Sequence, residues 1–143
     1  MESGIIIEGS NIQMAKYKFH KSAKLASKSD FDRVFDYKLF IKNDLMVLYM
    51  APNQAGKAKF GVSISAKKAP AAIRNRLKRL AREAFRLSQY EINDNFDYLV
   101  IYSSMLSKRD SSDIKKIALN EVRQGFMELA EKGYRLFEKR NNK

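Results

Sequence analysis

The chain has 143 residues, 45% of them hydrophobic, 11% aromatic and 31% charged, which is long enough to bury a core and too apolar for a disordered chain, so one domain is expected. Lys and Arg number 28 against 16 Asp and Glu, giving a net charge of +12 and a pI near 9.9, and such a surplus favours a polyanionic partner, nucleic acid ahead of an anionic membrane. The absence of Cys and the presence of a single His, His20, exclude disulfides, thiolate chemistry and Cys/His zinc sites on ligand count, and the longest apolar run, Leu45 to Ala51, is far too short to cross a bilayer.

Residues 1–20 carry neither helical nor strand periodicity and lack the basic and apolar regions of a secretion signal. They are expected to form a flexible N-terminal extension, with Met14 as an alternative start, and the location expected is cytoplasmic. His20 has no neighbour in sequence that makes it a ligand or a general base. A single domain over 21–138 and a flexible tail over 139–143 complete the expected organisation.

A helix is predicted from Ser29, which serves as N-cap with Asp30 and Asp32 in the first turn. Phe31, Val34 and Phe35 then share one face, an arrangement that suits packing on a sheet and equally suits stacking on unpaired bases. Leu45–Met50 reads as a strand, followed by a turn from Pro52 to Gly56. Tyr49 is as ambiguous as the two phenylalanines. In the next strand Phe60, Val62 and Ile64 alternate with Gly61, Ser63 and Ser65, leaving a small, polar face open to solvent or to a ligand.

The segment Arg74 to Arg86, RNRLKRLAREAFR, reads as an amphipathic helix. At 100° per residue from Arg74, Ile73, Leu77, Leu80, Ala81 and Ala84 fall within about 240° to 340° and face the core. Asn75, Lys78, Arg79, Arg82 and Arg86 occupy about 40° to 140°, with Arg74 and Arg76 on the flanks. Like charges at i, i+4 disfavour the helix by a few tenths of a kcal/mol per pair, so the stripe is better explained by a phosphate backbone, which arginine matches with planar, bidentate donors. Lys67 and Lys68 extend the field upstream. A solvated face, a calmodulin-like partner or a membrane surface are the other readings of the pattern.

Tyr98–Tyr102 is a continuous apolar run, as in a strand buried on both faces, so a β-α-β unit is expected around the basic helix. Asp94 and Asp97 are read as turn formers. A last helix is predicted from Ser111 or Ser112 onward, with Ile114, Ala118, Val122, Phe126 and Ala130 at four-residue steps and with Gly125 and Gly133 weakening it. No nucleotide-binding glycine loop, catalytic triad or paired-carboxylate motif is present, so a binding subunit fits better than an independent hydrolase.

Arg74-Asn75-Arg76-Leu77-Lys78-Arg79-Leu80-Ala81-Arg82-Glu83 resembles the R-N-R-x-K-R-x-x-R-E/Q helix of the protein subunit of bacterial ribonuclease P. KSDFDRVF, MVLYMAPN, FGVSISAKK and FDYLVIYSS resemble that family's opening helix and three of its strands, so that residues 22–130 are covered. KKAPAAI departs from the family pattern, which leaves the register of Lys67 and Lys68 open by one residue. Lys38 stands where the family often has glycine, so a slightly different turn is expected there.

The resemblance implies an α+β fold, an α/β sandwich with a central, mostly antiparallel four-stranded sheet and three helices. Their order is helix–strand–strand–strand–helix–strand–helix with a left-handed βαβ crossover, as in the second domain of a small-subunit ribosomal protein. It further implies a partner, the catalytic ribonuclease P RNA, bound through Arg74, Asn75, Arg76, Lys78, Arg79, Arg82, Arg86, Lys67 and Lys68. The 5′ leader of precursor tRNA would lie in a cleft with Phe31, Phe35, Tyr49, Ser63 and Ser65. The RNA subunit would carry the chemistry with Mg2+ held mainly by RNA, one protein would serve each RNA, and the protein would supply neither a catalytic residue nor a metal site of its own.

Overall fold

The computed structural model describes residues 24–25, 27–65, 69–103 and 111–142. The elements are α1 (Lys28–Asp36), β1 (Leu39–Lys42), β2 (Met46–Pro52), β3 (Lys59–Ser63), α2 (Ala71–Ser88), β4 (Phe96–Tyr102), α3 (Ser111–Lys115) and α4 (Leu119–Asn141). The sheet order is β1-β2-β4-β3, with β1/β2 and β2/β4 antiparallel and β3/β4 parallel. The parallel pair flanks α2 in sequence, so the expected β-α-β unit is present.

Alternation along β2 decides what each face of the sheet meets. Met46, Leu48 and Met50 are buried against α4, while Val47 and Tyr49 point to the face that carries α1. The larger core lies between the sheet and the pair α2/α4. At its centre Phe60 stacks on Phe85 at 4.8 Å, and Phe126 meets Phe60, Phe85 and Tyr98 edge-on. Each fully buried ring stabilises the fold by roughly 1.5–3 kcal/mol. Buried Tyr102 donates its phenol to the Leu77 carbonyl at 2.6 Å, tying β4 to the middle of α2, and burial pushes that phenol well above its ordinary pKa.

Several local expectations are corrected. The N-cap of α1 is Ser27, whose Oγ accepts the Asp30 N–H at 3.1 Å, so the helix starts before Ser29. Strand β1 is additional to the strands read from alternation. It has only four residues, three of them apolar, and offers no period to read. The expected final helix is split, making four described helices instead of three. After α3 the N–H groups of Lys116 and Ile117 bond back to Asp113 and Ile114, and Ala118 is extended. The split buries both Ile114 and Ile117 and frees the Ile117 carbonyl for Arg76. Helix α4 continues through 139–141, into the flexible tail expected over 139–143, and Arg140 donates to the Lys38 carbonyl at 2.7 Å. Gly133 permits a close approach there, because a Cβ at that position would run into Met50 and Ile41.

Lys38 follows α1 with φ 61°, the left-handed region that glycine adopts freely. The turn therefore keeps a glycine-like conformation with a lysine in it. Lys38→Gly is expected to raise stability by about 0.5–1 kcal/mol, the relief of left-handed strain being partly offset by the greater freedom of the unfolded chain. Chemical denaturation of the two proteins would check this.

Candidate RNA interface

The basic helix divides its cations more finely than an angular projection does. Ile73, Leu77, Ala81, Ala84 and Phe85 are buried, with Leu80 at the margin. Arg76 is turned inward, donating from Nη2 to the Ile117 carbonyl at 2.7 Å, while its Nη1 is buried without a partner. Arg74 donates from Nε to the Ala69 carbonyl at 3.0 Å. Arg86 is held by Glu83 through two hydrogen bonds of 3.0 and 2.8 Å, and this bonding keeps the Glu83 carboxyl below its usual range. Asn75, Arg79 and Arg82 are exposed and Lys78 is half-buried. These four have no hydrogen bond or ion pair among the described residues. The outward donor set is thus Asn75, Lys78, Arg79 and Arg82. Lys67 and Lys68 lie outside the described residues, as does His20.

The second surface is built by α1 on the opposite face of the sheet. Val34 is buried against Ala51 and Leu99. Phe31 sits over Gly61, where an added Cβ would come within 2.7 Å of its ring, so the missing side chain lets α1 lie close to the sheet. Phe35 stacks on Tyr49 with centroids 4.6 Å apart and remains 47% exposed. Between helix and sheet lies a cleft of about 440 Å³ lined by Phe31, Asp32, Phe35, Val62, Ser63, Leu99 and Ile101. Asp32, the acid on its wall, is paired with Lys28 at 3.1 Å.

Of the expected cleft residues, Phe31, Phe35 and Ser63 line it directly, and Tyr49 supports Phe35. Ser65 is exposed beyond the end of β3 and does not line the cleft. Asp97 is not a turn former: it lies in β4, 1% exposed, where it pairs with Arg33 of α1 and accepts from Asn53 Nδ2 at 2.6 Å. It pins α1 to the sheet.

The two surfaces adjoin. Arg82 of the basic helix lines a smaller cavity, about 180 Å³, together with Leu25, Phe31, Gly61 and Val62. A polyanionic strand in the cleft would therefore run beside the basic helix.

The family model described as Ribonuclease P matches residues 19–127. The chain belongs to the ribonuclease P protein family. It is 31% identical over 105 residues to the ribonuclease P protein component of Clostridium botulinum strain Langeland, covering 73% of this chain and 95% of that one. With the ribonuclease P protein component of Desulforamulus reducens it shares 33% over 96 residues, covering 67% and 85%. The solved ribonuclease P protein of Thermotoga maritima superposes with a TM-score of 0.67 at 27% identity, covering 76% of this chain and 96% of that chain.

Within the ribonuclease P frame, three residues escape the sequence reading. Leu99 and Ile101 of the buried strand contribute to the cleft, because a continuous apolar run does not tell which of its residues face the ligand side. Phe40, on the unread β1, packs against Tyr49 at 5.3 Å. No described helix is long and apolar enough to cross a membrane.

Proposed function

We propose that this chain is the protein subunit of a ribonuclease P holoenzyme, binding the catalytic RNA through the outward face of α2 and the 5′ leader of precursor tRNA in the cleft beneath α1. The holoenzyme removes the leader endonucleolytically to give the mature 5′ end of tRNA. The observation that carries this reading is the contiguity of the two surfaces at Arg82, which joins a phosphate-binding stripe to an aromatic cleft. A leader varies in sequence, so its reader should rely on stacking and phosphate contacts, which tolerate any base; Phe35, Phe31 and the neighbouring cations offer both.

Among the described residues no group of three or more His, Cys, Asp or Glu is placed to hold a metal ion. No step of the chemistry is assigned to this chain. Mg2+ held mainly by the RNA subunit would activate the attacking water and neutralise phosphates, while the protein positions the substrate. One protein per RNA and a cytoplasmic location belong to the same reading.

The test is 5′ processing of a precursor tRNA by a bacterial ribonuclease P RNA, at low and near-physiological magnesium, with and without the protein. The expected result is rescue of cleavage at low magnesium and tighter binding of precursor than of mature tRNA. RNA binding that alters neither rate nor preference would replace the proposal with a general RNA-binding role.

A further inference from the structure

The cleft does not end at Phe35. The strand register places Ser63 beside Ile101, Ile101 beside Val47, and Val47 beside Lys42. Residues in such a row project from the same side of a sheet. Ser63 and Ile101 line the cleft, so the same row leads out of it across half-buried Val47 to exposed Lys42 on β1, one of the two outer strands of the sheet.

The neighbouring row runs Gly61, Leu99, Tyr49, Phe40 by the same pairings. Its ends differ. Gly61 is covered by Phe31, whereas Phe40 is 48% exposed. Phe40 and Phe35 bracket Tyr49, at 5.3 and 4.6 Å between centroids, forming a chain of three rings that leads from the helix to the sheet edge.

A half-exposed phenylalanine on a four-residue outer strand contributes little to the core, and an exposed apolar outer strand is a liability for self-association. Its position gives it another use. From these observations we infer that Phe40 and Lys42 form an additional nucleotide subsite at the β1 edge, where a base of a single-stranded RNA emerging from the cleft stacks on Phe40 and its phosphate meets Lys42. Continuity with the cleft and the adjoining cation identify the occupant as single-stranded RNA rather than a second protein surface. The inference rests on the proposed leader-binding reading and extends it by a subsite.

The experiment uses the reconstituted holoenzyme and precursor tRNAs whose leaders are lengthened one nucleotide at a time. With the wild-type protein, affinity should rise with leader length to a plateau. Phe40→Ala should follow the wild-type curve for short leaders, level off earlier, and bind about tenfold more weakly at the plateau, the size expected for one lost base–aromatic stack. Phe40→Leu, which keeps apolar volume without a ring, should resemble Phe40→Ala, and Phe40→Trp should restore the plateau. Lys42→Ala should lower the plateau and reduce its salt dependence by about one unit.

Superimposable curves for all Phe40 variants, or an equal loss at every length and for mature tRNA, would overturn the subsite while leaving the leader-binding reading in place. A wild-type curve that does not depend on leader length would overturn both. Sedimentation of the free protein guards the remaining alternative: a dimer that Phe40→Ala dissolves would assign Phe40 to self-association and end the inference.

Discussion

Arg79→Ala and Arg82→Ala are each expected to lower the slope of log affinity against log salt for the catalytic RNA by about one unit, and the double variant by about two. Each single change should weaken binding about tenfold at near-physiological salt, as befits loss of a charge-assisted contact to phosphate. The physical ground is the division of labour along α2. Arg76 is engaged by the Ile117 carbonyl, Arg74 by the Ala69 carbonyl and Arg86 by Glu83, so an RNA would have to compete with protein partners for them. Arg79 and Arg82 are exposed and have no such partner among the described residues. Arg86→Ala therefore provides the internal contrast: its charge is already offset by Glu83, and it should move the salt slope by less than either of the other two. Filter or fluorescence binding over a salt series reads the four variants against the wild type, and an unchanged slope for Arg79→Ala and Arg82→Ala would remove α2 from the RNA interface.

The inward turn of Arg76 marks where a sequence stops being informative. Angular position set Arg74 and Arg76 on the flanks of the stripe, which is where both are found, half-buried. It could not choose which way a flanking guanidinium turns, because that depends on the Ile117 carbonyl, made available by a helix break forty-one positions away in sequence. The break itself was hidden: the four-residue steps continue through Ala118, and only the burial of both Ile114 and Ile117 separates two helices from one. Alternation was more reliable. It located β3, and Gly61 and Ser63 do lie on the face that α1 and the cleft use, whereas β2 is read from an apolar run that ends in a turn. Strand β1, and Phe40 with it, was illegible because Leu39-Phe40-Ile41-Lys42 is too short to show a period of two. The overall fold and the cleft's location came from the resemblance of five segments, not from periodicity, which would have applied the usual right-handed rule to the crossover.

Asp97 is the residue whose role changes most, and its removal should separate the two surfaces experimentally. An acid shortly after Asn93-Asp94-Asn95 reads as part of the turn, yet the chain has already entered β4 at Phe96, and the carboxylate lies beneath α1 with Arg33 and Asn53 as donors. Asp97→Ala would leave Asn53 Nδ2 without this acceptor and release the only ion pair between α1 and the sheet among the described residues. Because Arg33 is 46% exposed and can regain water, the expected loss is about 2 kcal/mol, less than that for breaking a fully buried pair. That corresponds to a drop in Tm of about 6 °C for a domain of this size. What remains under α1 is Val34 and the Phe31 and Phe35 contacts, too few to keep that wall of the cleft in place. The variant should therefore lose most of its preference for precursor over mature tRNA while its affinity for the catalytic RNA, carried by α2 on the other side of the sheet, changes little. Phe35→Ala supplies the comparison, since it should lose the same preference with a much smaller change in Tm. If Asp97→Ala melts as the wild type does and still discriminates between the two tRNAs, the pin is dispensable and α1 is held by its apolar face alone.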